Sequence, residues 1–367
     1  MGTIPSPRIL LGPGPSSVTP RVLEALGRAP IGYLDPELFT LLDGLRANLR
    51  TLFGTQNPFT IPLTGTGMAG MEACLVNLIE AGDTVVIGVN GFFGGRLVEI
   101  AKRVGAEVVR VEGEWGRIIE PEAFAKALKG LGKVKLVATV HAETSTGVRT
   151  PLEEIAKLAH EHDALFVADM VTSLGGLPVD VDRAGVDAAY SGTQKCVGAP
   201  PGLSPITASA RAWEVVQNRK TPVPNWYLDW KLLQGYYDGA HVYHHTVPVN
   251  MFFALSEALT EIMEEGLEAR FARHRAVSER LMLGLTELGI RPFSQEGYRL
   301  PMLNAIHIPE SVTDEVAVRK RLLMEFGLEI GGGLGDLKGK IWRIGTMGAS
   351  ATDRNVLLVL AALRAVL

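Results

Sequence analysis

Two ionisable residues stand at the ends of short apolar runs. Asp169 closes Ala164-Leu-Phe-Val-Ala-Asp169, and Lys195 closes Val186-Asp-Ala-Ala-Tyr-Ser-Gly-Thr-Gln-Lys195 beside the turn Cys196-Val-Gly-Ala-Pro-Pro. Both runs have the length and composition of strands. In an open α/β sheet, ligands sit outside the carboxyl ends of the strands, so the two residues belong at a site. A lysine that holds an aldehyde and an acid that keeps a pyridine nitrogen protonated are what pyridoxal 5'-phosphate (PLP) chemistry needs. A surface lysine and a helix-capping aspartate are the competing reading. Further motifs tilt the balance.

A glycine-rich turn, Gly65-Thr-Gly67-Met-Ala-Gly70, opens a run from Met71 with helical apolar spacing. Free N–H groups and the positive end of the helix dipole make such a turn a phosphate site. The motif also matches the dinucleotide fingerprint, but the next strand, from Thr84, ends in Asn90 where a ribose would need an acid. A monophosphate therefore fits better than NAD. The polar loop His141-Ala-Glu-Thr144-Ser145-Thr-Gly147 follows its strand on the same edge, as a turn or as part of the site. Arg343 lies between apolar residues of a strand, and a buried guanidinium wants a carboxylate, from this chain or from a substrate. His241, His244 and His245 cluster around Tyr243, yet no Cys or carboxylate stands at metal spacing, so no metal is expected.

The elements that must position these residues alternate along the chain. Strands are expected at 84–90, 108–111, 136–140, 164–169 and from 186 towards Lys195, with helices at 38–53, 121–128 and 152–162. This is the pattern of a mainly parallel sheet covered by helices. The Pro/Gly-rich start reads as an extended arm over 1–19, able to reach a neighbour. Residues 221–248 read as an aromatic loop, and 254–288 as one long helical stripe weakened at Gly266. A large domain over 20–265 and a smaller C-terminal α+β domain over 266–367 are therefore expected.

With 367 residues, 47% of them hydrophobic, the chain can bury a sizeable core. A net charge of −4 with both signs interspersed predicts no nucleic-acid partner, and no apolar run reaches membrane-spanning length. Two cysteines, Cys74 and Cys196, cannot build a disulfide framework, so the cytoplasm is the expected location. The N-terminal match to a myristoylation pattern is too short to carry weight.

Taken in order, Gly12-Pro-Gly-Pro15, Thr64-Gly-Thr-Gly-Met68, Asn90-Gly-Phe-Phe-Gly94, the loop 141–147, Asp169, Ser191-Gly-Thr-Gln-Lys195, Tyr243-His-His-Thr246 and Arg343-Ile-Gly345 resemble class V aminotransferases of the alanine-glyoxylate and serine-pyruvate branch. The resemblance implies a fold-type I PLP enzyme, normally a homodimer. It assigns Lys195 as the Schiff-base lysine, Asp169 as the partner of the pyridine nitrogen, Phe93 and Val171 to the two faces of the ring, and Thr144 beside it. Thr66, Gly67, Met68 and Gln194 match the phosphate cup, and Tyr243 and Thr246 match residues that reach the phosphate from a partner subunit. Arg343 matches the clamp for the substrate carboxylate. Animal members carry tryptophan where Phe93 stands and histidine where Met68 stands. No second arginine matches a side-chain anion site, so the implied substrates are small: alanine or serine as donor, glyoxylate or pyruvate as acceptor. The rivals are a class V enzyme with another donor, a cysteine desulfurase, an NAD oxidoreductase, and a PLP- or nucleotide-binding protein without catalysis. The desulfurase lacks its nucleophile, because no cysteine follows Cys196.

Overall fold

The computed structural model describes residues 6–367; the first residues of the expected arm and the myristoylation-like start lie outside them. A seven-stranded sheet runs edge to edge as Phe59–Thr64, Leu203–Ala208, Ala188–Tyr190, Leu165–Asp169, Val134–Val140, Thr84–Val89 and Glu107–Glu112. Leu203–Ala208 is antiparallel to both its neighbours, and the remaining pairs are parallel. The expected α/β architecture is thus present. Register puts Val140, Asp169 and Tyr190 side by side in one row at the carboxyl edge. Strands buried on both faces read as continuous apolar runs, and Leu165–Asp169 is buried at every position.

Local sequence explains the covering helices. Asp35 caps Pro36–Phe53 by accepting from the Glu37 N–H at 2.8 Å, proline occupies the first turn, and Gly54 ends the helix at φ 65°. Its apolar stripe, including the fully buried Leu38 and Leu49, joins the main core. Truncating such a leucine to alanine costs about 2–5 kcal/mol.

Four differences from the sequence reading have local causes. The strand before Lys195 stops at Tyr190, where its parallel pairing with Leu165–Asp169 ends; beyond it the Ser191 and Thr193 amides bond on one side only, to the Pro205 and Leu203 carbonyls. The 254–288 stripe is two helices, Val249–Glu265 and Leu267–Glu287, broken at Gly266, whose φ of 81° suits glycine. The aromatic loop contains a helix, Trp230–Tyr237, capped by Asp229. The described part of the arm lies against its own chain: Ile9–Leu10 pairs in parallel with Leu328–Glu329.

A second apolar cluster joins Leu11 of the arm to Val277, Leu281, Trp342, Ile344 and Val359. The three strands Leu303–His307, Ile341–Gly345 and Gly331–Gly332 form a separate sheet there. No helix among the described residues is long and apolar enough to cross a membrane.

Candidate active site

One pocket opens at the carboxyl edge of the main sheet. Thr66, Gly67, Met68, Phe93, Thr144, Asp169, Val171, Gln194 and Lys195 all line it, with Met71, Val140, Ala142 and Thr172 beside them.

Asp169 is buried and its carboxylate accepts from the Val171 N–H at 2.9 Å and the Tyr190 hydroxyl at 2.9 Å. Burial pushes its carboxyl up to about 7, against the pull of those hydrogen bonds. Lys195 is pushed down to about 8, first by burial and then by the Arg343 charge. Both shifts have the same origin: burial disfavours an isolated charge on either group. A cationic ring N–H beside Asp169 would bring its carboxyl down again. Lys195 Nζ donates to the Pro13 carbonyl of the arm. Gly14, at φ +115°, lies so close that a Cβ there would come within 2.8 Å of the lysine Cδ and Cε. Ser16 bonds to the Lys195 carbonyl at 2.8 Å, so the arm touches both ends of this residue.

The glycine-rich turn supplies the opposite wall. Thr66 precedes the helix Gly67–Leu78 and offers it no side-chain cap, and among the described residues the Gly67 and Met68 amides have no acceptor. A Cβ on Gly67 would meet Val171 at 2.9 Å, which explains the glycine by close approach. Gln194 Oε1 is buried without a partner. Open amides at a helix start fit a phosphate, whereas the orphaned Gln194 oxygen can only accept and calls for a donor.

Arg343 is buried; its Nε donates to the Gly332 carbonyl at 2.8 Å and its Nη1 to the Thr144 carbonyl at 3.2 Å. It forms no ion pair among the described residues, and burial lowers its pKa to about 10. An intramolecular carboxylate partner, one of the two readings of its sequence, is therefore not what the fold supplies. Tyr243 and Thr246 are not brought into the pocket. Tyr243 is 54% exposed and lies against Tyr33, with ring centroids 5.2 Å apart. Thr246 is exposed on a separate groove with Ile31, Tyr33 and Met251. His244 and His245 bond to each other at 2.8 Å, and His245 also reaches Thr64 at 2.8 Å.

The motifs alone did not single out Tyr190, Pro13 or Glu143. Tyr190 was readable as the neighbour of the Ser191 turn. The contacts of the other two come from distant segments.

The pocket joins a lysine, a buried acid and a glycine-rich turn with open amides on a mainly parallel sheet, a combination that suits a PLP-dependent transferase. The family model for class-V aminotransferases matches residues 29–316. The chain is 40% identical to the (S)-ureidoglycine-glyoxylate transaminase of Bacillus subtilis (strain 168), over 98% of this chain and 90% of that protein. It is 39% identical to the alanine-glyoxylate aminotransferase of Oryctolagus cuniculus, over 97% of this chain and 92% of that one. The crystal structure of an alanine-glyoxylate aminotransferase from Nostoc sp. superposes with a TM-score of 0.97 at 46% identity, covering 100% of this chain and 97% of that one. The chain belongs to the class-V aminotransferases, a family of PLP-dependent enzymes. A binding protein without catalysis is not favoured.

Proposed function

We propose that this aminotransferase moves an amino group from a small neutral amino acid, alanine or serine, to a small 2-oxo acid, with glyoxylate favoured over pyruvate. The observation that carries the reading is Arg343, a buried guanidinium without an ion-pair partner among the described residues, bonded to the pocket-lining Thr144. A substrate carboxylate would neutralise it through the bidentate geometry that arginine offers. Two similar proteins named above have glyoxylate and alanine in their names, which supports this choice.

Bound PLP supplies an electron sink for the charge left when an α-hydrogen departs. The residues proposed to hold it are Thr66, Gly67, Met68 and Gln194 at the phosphate, Phe93 and Val171 at the ring faces, and Thr144 beside the ring. Asp169, ionised, would keep a proton on the ring nitrogen of bound PLP. Arg343 fixes the substrate carboxylate and so orients the Cα–H bond. Lys195, free as an amine, takes the α-proton at Nζ and later returns one, acting first as base and then as acid. Burial, the larger cause of its lowered pKa, favours the free amine that this role needs. A panel of donors with glyoxylate, compared by kcat/KM, tests the reading. Preference for aspartate, glutamate or phosphoserine over alanine and serine would overturn it.

We further propose a homodimer whose partner completes the phosphate site with Tyr243 and Thr246. Their exposure beside an apolar groove supports this. With PLP limiting, so that a Lys195→Ala chain and a Tyr243→Ala chain are each crippled alone, mixing them should restore one intact site per mixed dimer; mixed dimers of folded chains that stay inactive would count against it. The division into an arm over 1–19, a large domain over 20–265 and a small one over 266–367 is likewise proposed. The helix break at Gly266 supports it, and hydrogen exchange that fails to change at that residue would count against it. The cytoplasm is the proposed location, since Cys74 and Cys196 are both free and buried; cell fractionation tests this.

A further inference from the structure

Glu143 lies between two residues that line the pocket, Ala142 and Thr144, and is itself fully buried. Its carboxylate meets only donors. Oε2 accepts from the Phe93 N–H at 3.1 Å and the Gly94 N–H at 3.2 Å; Oε1 accepts from the Ser145 N–H at 3.1 Å and the Ser145 hydroxyl at 2.5 Å. The Ser145 oxygen in turn accepts from the Phe92 N–H at 2.9 Å. These amides open the helix Phe92–Val104, whose own N-cap, Gly91, makes no side-chain cap and whose first turn carries no acid. The cap and the counter-charge for the helix dipole therefore come from a loop about fifty residues away in sequence, the role that a local Ser or Asp usually fills. Gly91 makes room for it: a Cβ there would come within 2.6 Å of Ser145 Oγ.

The same loop faces Arg343. The Thr144 carbonyl accepts from Arg343 Nη1, and the Glu143 charge favours the charged guanidinium. One turn thus ties the start of the Phe93 helix to the proposed carboxylate clamp. Burial pushes the Glu143 carboxyl upward, and the hydrogen bonds pull it back.

We propose that Glu143 is a positioning residue for the transamination: its carboxylate fixes the first turn of the Phe92–Val104 helix, and so sets the Phe93 ring against the cofactor. This rests on the reading of Phe93 as the ring-facing residue. Glutamine is the informative replacement, because it keeps the shape but turns an NH₂ towards groups that can only donate or already do so.

The test compares Glu143→Gln, Phe93→Leu and Glu99→Gln in the full-length protein. Glu99 is an acid on the same helix, paired with Arg96 and Arg103 at the surface. The readouts are the PLP dissociation constant and the visible circular dichroism of the bound cofactor, which reports ring orientation. Glu143→Gln is expected to raise that constant about tenfold or more and to weaken the dichroic band, with Glu99→Gln like the parent. Ser145→Ala, which removes one bond to the carboxylate and the acceptor for Phe92, should move both readouts the same way by less. It also serves if Glu143→Gln does not fold. If Phe93→Leu changes the band and neither Glu143→Gln nor Ser145→Ala does, the proposal is overturned. If Phe93→Leu leaves it unchanged, the ring-facing reading fails, and the proposal with it.

Discussion

The strand-end wall around Asp169 and Lys195 and the segment from Tyr243 to Thr246 carry residues assigned to the same cofactor, yet they are built in opposite ways. In the wall every key side chain is buried and held: Asp169 by Val171 and Tyr190, Lys195 by the Pro13 carbonyl, Arg343 by two carbonyls. Tyr243 projects from the surface beside an apolar groove. The wall pays in desolvation, which moves its pKa values, whereas Tyr243 stays largely in solvent. The contrast teaches that the buried residues are preorganised within one chain. What remains exposed is suited to adding affinity and not to moving protons.

The sharpest way to break the contrast is Lys195→Ala. With the only proposed proton carrier gone, kcat should fall by about 10⁴-fold or more, read under saturating donor and acceptor. A loss below tenfold would place the proton transfer elsewhere. Asp169→Asn should cost about 10²- to 10³-fold, since it keeps the Val171 and Tyr190 contacts in shape but removes the charge facing the ring nitrogen. Arg343→Lys should lower kcat/KM by about 10- to 100-fold for every donor alike, because the charge survives and the fork does not. If a single donor suffers, Arg343 reads a side chain. Tyr243→Phe should be the mildest, weakening PLP binding by about tenfold with kcat at saturating cofactor nearly unchanged. An effect as large as that of Lys195→Ala would erase the distinction between wall and segment.

The wall also has a pH signature. An unprotonated amine is needed to capture the cofactor aldehyde, so PLP uptake by the cofactor-free protein should accelerate as pH rises through about 8, the value to which burial and the Arg343 charge lower Lys195. An unperturbed lysine would put that midpoint above pH 10. Arg343→Gln removes the repelling charge and should move the midpoint upward; a midpoint that stays put would show that burial alone sets it.

How much of this was legible in the sequence follows from the range of each contact. The placing of Asp169 and Lys195 at one pocket was legible because strand ends and sheet edges are local facts. The Gly65–Gly70 turn was found because its glycines and the helix after it lie together. Arg343 was visible as a charge in an apolar strand, but its lack of an ion-pair partner emerges only once Thr144 and Gly332 fold around it. Glu143 sat in a loop already marked as polar, and nothing local indicated that its four donors include the amides of Phe93 and Gly94. The Trp230–Tyr237 helix was readable from its buried face, Trp230, Leu233, Tyr236 and Tyr237 at helical spacing, but only two turns long it was lost among the aromatic residues of a stretch read as loop. Register errors were small, as at Lys195, where the strand ends at Tyr190 and backbone bonds to Leu203 and Pro205 take over.

The pairing of Ile9–Leu10 with Leu328–Glu329 also constrains the order in which the protein can be made. The arm leaves the ribosome more than three hundred residues before the strand it joins. At ordinary translation speeds that is a wait of roughly 15 to 65 seconds, during which the Pro13 carbonyl cannot be anchored beside Lys195 from the C-terminal side. The sheet and its lysine can form earlier, so the nascent chain passes through a stage with the reactive amine present and its arm held only at Ser16. A premature stop before Leu328 would freeze that stage, and the defect of a C-terminal truncation would appear at the N-terminus.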